Sequence, residues 1–394
     1  MSLDKQKVKE MVRRAEDTLF HTNIREFSNH KGRLIQISDC YIGVWMEHAY
    51  DALLIGKLYD GCKDISLSQA RIFFENQRED GQMPAYVWNN GQVGYRHIQE
   101  CVPFGRICYE TYLLTKDEGF LNEAYTAFCG WDKWLCANRM TRKTGLIELF
   151  CEWDTGHDNS IRLEGIDHAT PDMFGKEFSN QPFMPLMPLI APDMNAVFYG
   201  DRMALCDMAR ALGKNEEADA WKKKAQDVKN KMLELLYNKE DNFFYDVDKD
   251  GNARKIKTIQ MANVFQAHVL GQDMFDSIYD MYFKEGKDFG TPVPFAATAV
   301  SDPRWVMNKP GNTWNFFSQA LVALRTDFWM EHYGKTADYE KLLEVWLEKY
   351  NESSETVPFG QEFHPITGAP SDCSPYYSSG MLLYIRAARR LGLV

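Results

Sequence analysis

Cys151-Glu152-Trp153-Asp154-Thr155-Gly156-His157-Asp158-Asn159-Ser160-Ile161-Arg162 gathers three carboxylates, a Trp, a Gly and an Arg into one short stretch without helical periodicity. Carboxylates beside an aromatic ring suit the cleavage of a sugar: the ring stacks on the sugar face while a carboxyl group protonates the leaving oxygen. A second stretch, Gly360-Gln361-Glu362-Phe363-His364-Pro365-Ile366-Thr367-Gly368, adds Glu362, with Asp372 just beyond. Taken singly, Glu152, Asp154, Asp158, Glu362 and Asp372 each read as a solvated or capping carboxylate. Two such loops facing one another read as a catalytic pair.

The elements that must position them are helical. Apolar spacing, capping and Gly/Pro punctuation predict about twelve helices, near 4–21, 43–62, 66–78, 96–115, 119–139, 190–212, 214–237, 258–270, 271–284, 314–334, 336–351 and 374–392. The seventh is amphipathic, with Trp221, Ala225, Val228, Met232 and Leu235 on one stripe and Lys222, Lys223, Lys229 and Lys231 elsewhere. The tenth and twelfth are apolar nearly all round. Outer amphipathic helices alternating with inner buried ones describe an all-α toroid of six helical hairpins, an (α/α)6 barrel. The clearest strand, Asn242 to Val247, precedes Asp250-Gly251 and predicts one minor β-hairpin.

The junctions Leu114-Thr115-Lys116-Asp117, Leu212-Gly213-Lys214-Asn215 and Tyr333-Gly334-Lys335-Thr336 are short and each closes an even helix. The connections 140–189 and 352–373 are long. One rim of the toroid therefore carries tight turns and the other the functional loops. The two longest loops belong to hairpins three and six, half a turn apart, and face each other across the central pocket. A carboxylate on each suits a general acid and a general base with water between, an inverting arrangement that needs roughly 6.5–9.5 Å between the carboxyls. No composition break interrupts residues 1–394, which read as one domain.

Asp154-Thr155-Gly156-His157-Asp158-Asn159-Ser160-Ile161-Arg162 resembles the acidic-Ser-Gly-x-Asp-Asn-Ser-x-Arg loop of glycoside hydrolase family 63 and the related trehalases. His364-Pro365-Ile366-Thr367-Gly368 resembles the end of that family's Glu-x-Tyr-Asn-Pro-x-Thr-Gly. Gln77-Arg78-Glu79-Asp80-Gly81-Gln82-Met83-Pro84 and Gln99-Glu100-Cys101-Val102-Pro103 are fainter echoes, and together the likeness spans about residues 40–392. The resemblance implies an inverting α-glycosidase, cleaving an α-glucoside or α-mannoside of a small saccharide without a cofactor or metal. It makes Asp158 the general acid, its pKa raised by burial and by Asp154. Aligned on Pro365-x-Thr367-Gly368, the base falls on Gln361, with Glu362 one place later. Glu362 is the expected base; if it does not serve, the base is lost. The family's Trp-Arg-Gly stands here as Lys309-Pro310-Gly311-Asn312-Thr313-Trp314, which puts an Arg contact to substrate in question.

Substrate contacts are expected from Trp153, Asp154, Asn159, Gln361 and Gln99, and from Arg162, which either binds hydroxyls or holds Asp154. Trp314 and Tyr376 are stacking candidates, and Trp45 and Glu47 are placed to line the same pocket. Two rivals remain: a sugar epimerase using His48, His97, His268 and His364, and a carbohydrate binder without turnover.

Other signals carry less. Asp246-Val247-Asp248-Lys249-Asp250-Gly251 opens like a calcium loop, but Lys257 stands where a bidentate Glu belongs. His157, Asp158, Asp167 and His168 lack a recognised metal spacing. The net charge of −11 disfavours nucleic acid and anionic membranes as partners. Nine cysteines without a CxxC pair, and an N-terminus without an apolar leader core, predict a cytoplasmic chain, or a periplasmic or secreted one if a leader has been removed. Oligomeric state is not legible.

Overall fold

The computed structural model describes residues 3–163, 187–305 and 314–394. Helices pair along the chain as outer and inner members of six hairpins. They are α1 (Lys5–Thr18) with α2 (Ala49–Leu58), α3 (Lys63–Glu75) with α4 (Phe104–Thr115), and α5 (Glu118–Asn138) with α6 (Pro192–Ala211). After these come α7 (Asn215–Leu235) with α8 (Met261–Gln266), α9 (Gln272–Ile278) with the short α10 (Ala320–Leu324) and α11 (Asp327–Met330), and α12 (Thr336–Glu352) with α13 (Ser378–Arg390).

The inner members form a closed ring: α2 packs on α4, α4 on α6, α6 on α8, α8 on α11, α10 on α13, and α13 back on α2. Burial follows that division. On α7 only Ala218, Trp221, Ala225, Val228 and Met232 are buried, a single stripe at helical spacing. On α13 every residue from Ser378 to Ile385 is buried. The seam that closes the ring is polar: Ser378 Oγ and Ser379 Oγ donate to Asp51 Oδ2 of α2 at 2.6 and 2.8 Å. A buried carboxylate would be costly without such donors.

The two rims differ as the spacing predicts. The three short junctions each turn on a residue in the left-handed region, Lys116 (φ 59°), Gly213 (φ 75°) and Gly334 (φ 71°), which ends the inner helix. Asp117 then caps α5 through Phe120 N at 2.9 Å. The described parts of the long connections lie on the other rim.

Several boundaries are corrected. The helix expected at 43–62 begins only at Ala49, because Gly43–Trp45 is a strand. That expected at 96–115 begins at Phe104. The one expected at 314–334 is a strand, Ser318–Gln319, followed by α10 and α11. Its side chains are nearly all buried, so their burial pattern carried no period to tell helix from strand. The last helix starts at Ser378 rather than 374, since Ser374 (φ 44°) and Tyr376 (φ 55°) leave the helical region. Leu235, expected on the buried stripe, is 38% exposed at the end of α7.

Strand content exceeds the single hairpin expected. Among the described residues, five small sheets decorate the loops. Asn242 to Val247 divides between two of them, β7 (Phe243–Phe244) pairing with β6 (Tyr237–Asn238) and β8 (Asp246–Val247) with β9 (Ala253–Arg254). Two others matter for the cavity. β3 (Gly43–Trp45), β4 (Tyr86–Trp88) and β5 (Val93–Gly94) form one antiparallel sheet. β10 (Ser318–Gln319) pairs with β11 (Glu362–Phe363). The remaining pair is β1 (Ile24–Glu26) with β2 (Arg33–Ile35).

Candidate active site

On the long-loop rim the connections enclose a cavity of about 600 Å³. Trp153, Gly156 and Asp158 reach it from the third hairpin, Gln361 and Tyr377 from the sixth, and Glu47 and His48 from the turn that opens α2.

The loop bearing Asp158 is fastened at both ends by buried ion pairs. Arg139, the residue after α5, holds Asp154 at two points, Nη1–Oδ2 2.6 Å and Nη2–Oδ1 3.2 Å, both residues fully buried. The same carboxylate accepts the backbone N–H of Ile98 (2.9 Å), Phe150 (2.8 Å) and Cys151 (3.2 Å). Burial works against its charge, but Arg139 and these donors hold the carboxyl below its ordinary range. Beyond the turn, Arg162 bridges Asp193 of α6 (Nη1–Oδ2 2.6 Å) and Asp246 of β8 (Nη2–Oδ1 2.8 Å). Between the clamps, Gly156 (φ 67°) and Asn159 (φ 58°) bend the chain so that Asp158, partly exposed, reaches the wall. A Cβ on Gly156 would stand 2.4 Å from Glu47 Oε2, so any larger residue would displace that carboxyl and would be strained at this positive φ. The backbone N–H of Trp314 donates to the Asp158 carbonyl at 2.9 Å, and the Trp314 ring stacks on His157 with centroids 4.3 Å apart.

One side of the cavity is aromatic. In the β3–β4–β5 sheet Trp45 pairs with Tyr86, and their ring centroids lie 5.6 Å apart; Trp88 is 5.1 Å from Trp45. Tyr86 approaches the His97 ring at 5.9 Å, and His97 approaches Trp153 at 5.6 Å. Val87, between Tyr86 and Trp88, points into the core, as strand alternation requires. Flat apolar rings edged with polar groups bind the faces of sugar rings.

Polar groups converge on the same space. Gln99, His48 and His97 line the cavity, and Gln99 Oε1, His48 Nδ1 and His97 Nδ1 are buried atoms with no hydrogen-bond partner among the described residues. Such atoms are costly unless a ligand or water satisfies them. His48 Nε2 meets Tyr377 Oη at 2.7 Å. Burial lowers His97 to about 4, and burial with Arg325 lowers His48, so both rings are neutral near pH 7. Glu47 keeps 16% of its side-chain surface exposed. Burial, with further contributions from Asp158 and Asp51 against an opposing one from Arg325, pushes its carboxyl up to about 8.

Of the residues expected to bind or cleave, the structure brings Asp158, Trp45, Trp153, Trp314, Gln99 and Gln361 onto one wall system, together with Glu47. Five positions are corrected. Asp154 and Arg162 are fully buried and hold the loop rather than face the cavity. Arg162 does not hold Asp154 but binds Asp193 and Asp246. Asn159 shapes the turn and is not part of the lining. Tyr376 turns outward, its Oη accepting from Arg14 Nε of α1 at 3.0 Å, and Tyr377 lines the cavity instead.

The fifth correction concerns Glu362. It lies opposite Gln319 in the β10–β11 pair, and its Oε2 accepts from Gln319 Nε2 at 2.6 Å, with the side chain fully buried. Gln361, in the bend that enters β11, lies on the cavity wall, while Glu362, the first residue of the strand, lies in the interior.

Sequence reasoning missed Tyr41, Tyr86, Trp88, Arg96 and Tyr377. Asn90-Gly91, after Tyr86-Val87-Trp88, is a hairpin signal that would have found the aromatic sheet. The four histidines of the epimerase reading do not assemble. Only His48 and His97 line the cavity; His268 stacks on His332 at 3.6 Å, and His364 Nδ1 accepts from Ile366 N. Among the described residues no group of three or more His, Cys, Asp or Glu is placed to hold a metal; Asp167 and His168 lie outside them. Asp248 Oδ1 of the calcium-like segment accepts the N–H groups of Asp250 and Asn252, a hairpin turn. No helix among the described residues is long and apolar enough to cross a membrane.

Comparison with known proteins places this geometry. Residues 63–379 match the model of the mannosylglycerate hydrolase MGH1-like glycoside hydrolase domain. A mannosylglycerate hydrolase from Thermus thermophilus, solved with Tris and D-glycerate, superposes with a TM-score of 0.74 at 15% identity, over 97% of this chain and 99% of that one. An uncharacterized conserved protein from the same organism gives 0.76 at 17% identity, over 95% and 99%. Neutral trehalase from Saccharomyces cerevisiae gives 0.68 at 14% identity, over 99% and 82%. At these identities the superpositions establish the six-hairpin toroid. A Borreliella burgdorferi protein is 22% identical over 250 residues, 62% of this chain; the match spans about half, 47%, of that relative's length.

Proposed function

Because this chain belongs to the mannosylglycerate hydrolase MGH1-like glycoside hydrolase family, we propose that its cavity cleaves the α-glycosidic bond of a small saccharide with inversion at the anomeric carbon. Asp158 is the general acid. It stands on the cavity wall at the crest of a loop fixed by two buried Arg–Asp clamps, which keeps a proton donor in place without a flexible tether. That placement carries the reading. Protonated, Asp158 hands its proton to the leaving oxygen as the bond to the anomeric carbon lengthens; the glycosyl carbon gathers positive charge and is attacked from the opposite face.

The walls support a small saccharide as the substrate. About 600 Å³ lies within the roughly 300–1,000 Å³ of small-molecule sites. The aromatic side formed by Trp45, Tyr86 and Trp88 stacks a sugar, while Gln99, His48, His97 and protonated Glu47 meet its hydroxyls. The Thermus thermophilus mannosylglycerate hydrolase has also been solved with glucose, in keeping with a monosaccharide-sized ligand on this fold.

Proton NMR of a panel of α-glucosides and α-mannosides tests the reading. The β-configured product is expected to appear before the α form. First appearance of the α product would replace inversion by retention, and cleavage undiminished in D158N would remove Asp158 as the acid.

A further inference from the structure

The wall across from the acid carries an amide. Gln361 lines the cavity on the hairpin opposite that of Asp158, and Cys373 Sγ donates to its Oε1 at 3.4 Å, which fixes the amide plane. An amide cannot take a proton from water near neutral pH. Glu362 is turned into the interior beside Gln319. Among the described residues the remaining carboxyl on the lining, Glu47, abuts Gly156, two residues from Asp158, and so stands on the acid's own side. At neutral pH it is also protonated, burial having pushed it up to about 8.

An inverting site needs a base because water is a poor nucleophile; an acceptor that is already ionised needs none. The lining supplies what an oxyanion requires. Arg96 brings a permanent positive charge, and the Tyr41 phenol and the Gln361 amide carry hydrogen-bond donors.

We propose that the acceptor at this site is inorganic phosphate and that the chain carries out inverting phosphorolysis, with Gln361 orienting the phosphate across from Asp158. This rests on the reading of Asp158 as the acid of an α-glycoside-cleaving site. A phosphate oxygen forms the new bond to the anomeric carbon as the glycosidic C–O bond breaks. The bonding pair leaves with the glycosidic oxygen, which takes the Asp158 proton. The phosphate's own remaining proton then returns to Asp158, so a glycoside and hydrogen phosphate become a β-glycosyl phosphate and the free alcohol, with nothing oxidised or reduced.

The whole protein is incubated with the α-glucoside and α-mannoside panel in sodium phosphate and, separately, in sodium sulfate, and followed by phosphorus and proton NMR. Cleavage is expected to rise saturably with phosphate, to on the order of a hundredfold above its rate in sulfate, the span a general base ordinarily supplies. One β-glycosyl phosphate should form for each alcohol released. Q361E, which restores a carboxylate, should gain hydrolysis that ignores phosphate. Equal rates in both salts, with free sugar as the product, would make water the acceptor and overturn the proposal while leaving the glycosidase reading intact. An inert native protein whose Q361E variant hydrolyses would overturn phosphate in the same way. Inertness of both proteins in both salts would overturn the cleavage reading itself, and the proposal with it.

Discussion

Arg139 and Asp154 face each other through two hydrogen bonds of 2.6 and 3.2 Å in the interior, and the loop that presents Asp158 begins at that pair. The pair connects the end of α5 to the turn four residues before Asp158. A buried ion pair gains little over a well-packed apolar pair, but leaving one partner alone is expensive. Its value here is geometric: Asp154 also accepts three backbone N–H groups and so gathers Ile98, Phe150 and Cys151 around one carboxylate.

D154A is therefore expected to destabilise the fold by about 3–5 kcal/mol, since it strands a buried guanidinium. Urea unfolding measures this. A loss below about 1 kcal/mol would mean that the loop is held by other contacts.

D158N should lower kcat/KM on unactivated glycosides by about 10²–10⁴-fold, the usual contribution of a general acid. A dinitrophenyl glycoside, whose leaving group needs no proton, should be spared. Equal losses on both substrates would argue against a proton-donor role.

E362Q should leave cleavage within a few-fold of the native rate, because the side chain meets Gln319 inside the fold rather than the cavity. Loss of activity in a variant that unfolds at the native temperature would restore Glu362 as the base.

Glu47 makes stability depend on pH with a definite sign. Its ordinary value is 4.5 and burial raises it to about 8 in the fold. Below 4.5 it is protonated in both states and contributes no pH dependence. Between those values the unfolded chain ionises while the folded one does not, so stability falls as pH rises and levels off above 8. E47Q cannot ionise. The melting temperature of the native protein minus that of E47Q should decline from pH 4.5 to 8 and be flat on either side; a flat difference throughout would show that Glu47 titrates normally.

Gln99 lines the cavity, and its buried Oε1 has no hydrogen-bond partner among the described residues. Titration with methyl α-glucoside and methyl α-mannoside, followed by the fluorescence of the lining tryptophans, should show Q99A binding weaker by about 0.5–1.5 kcal/mol, up to roughly tenfold. Unchanged affinity would place the ligand elsewhere.

Much of the architecture was legible because it depends on short-range order. The stripe on α7, the buried run of α13 and the turns at Lys116, Gly213 and Gly334 are encoded within a few residues each. The loop of Asp158 was legible for the same reason, as a local pattern of acid, Gly, Asn and Arg. Residues whose surroundings come from distant segments were not. Arg162 meets Asp246 across 84 positions, and nothing near Arg162 distinguishes that clamp from a substrate contact. Tyr376 and its neighbour Tyr377 exchange roles because a left-handed residue rotates one outward toward Arg14.

Helical period and turn chemistry act locally, so the six hairpins, the rim of long loops and the stretch bearing Asp158 could all be read along the chain. Which residue of the sixth hairpin shares the cavity with Asp158 depends instead on pairing between distant segments. Gln361 and Glu362 are adjacent in the chain, one in the bend that enters β11 and the other its first residue. The pairing of β11 with β10 fixes which of them faces the cavity, and it turns the amide outward and the carboxylate in.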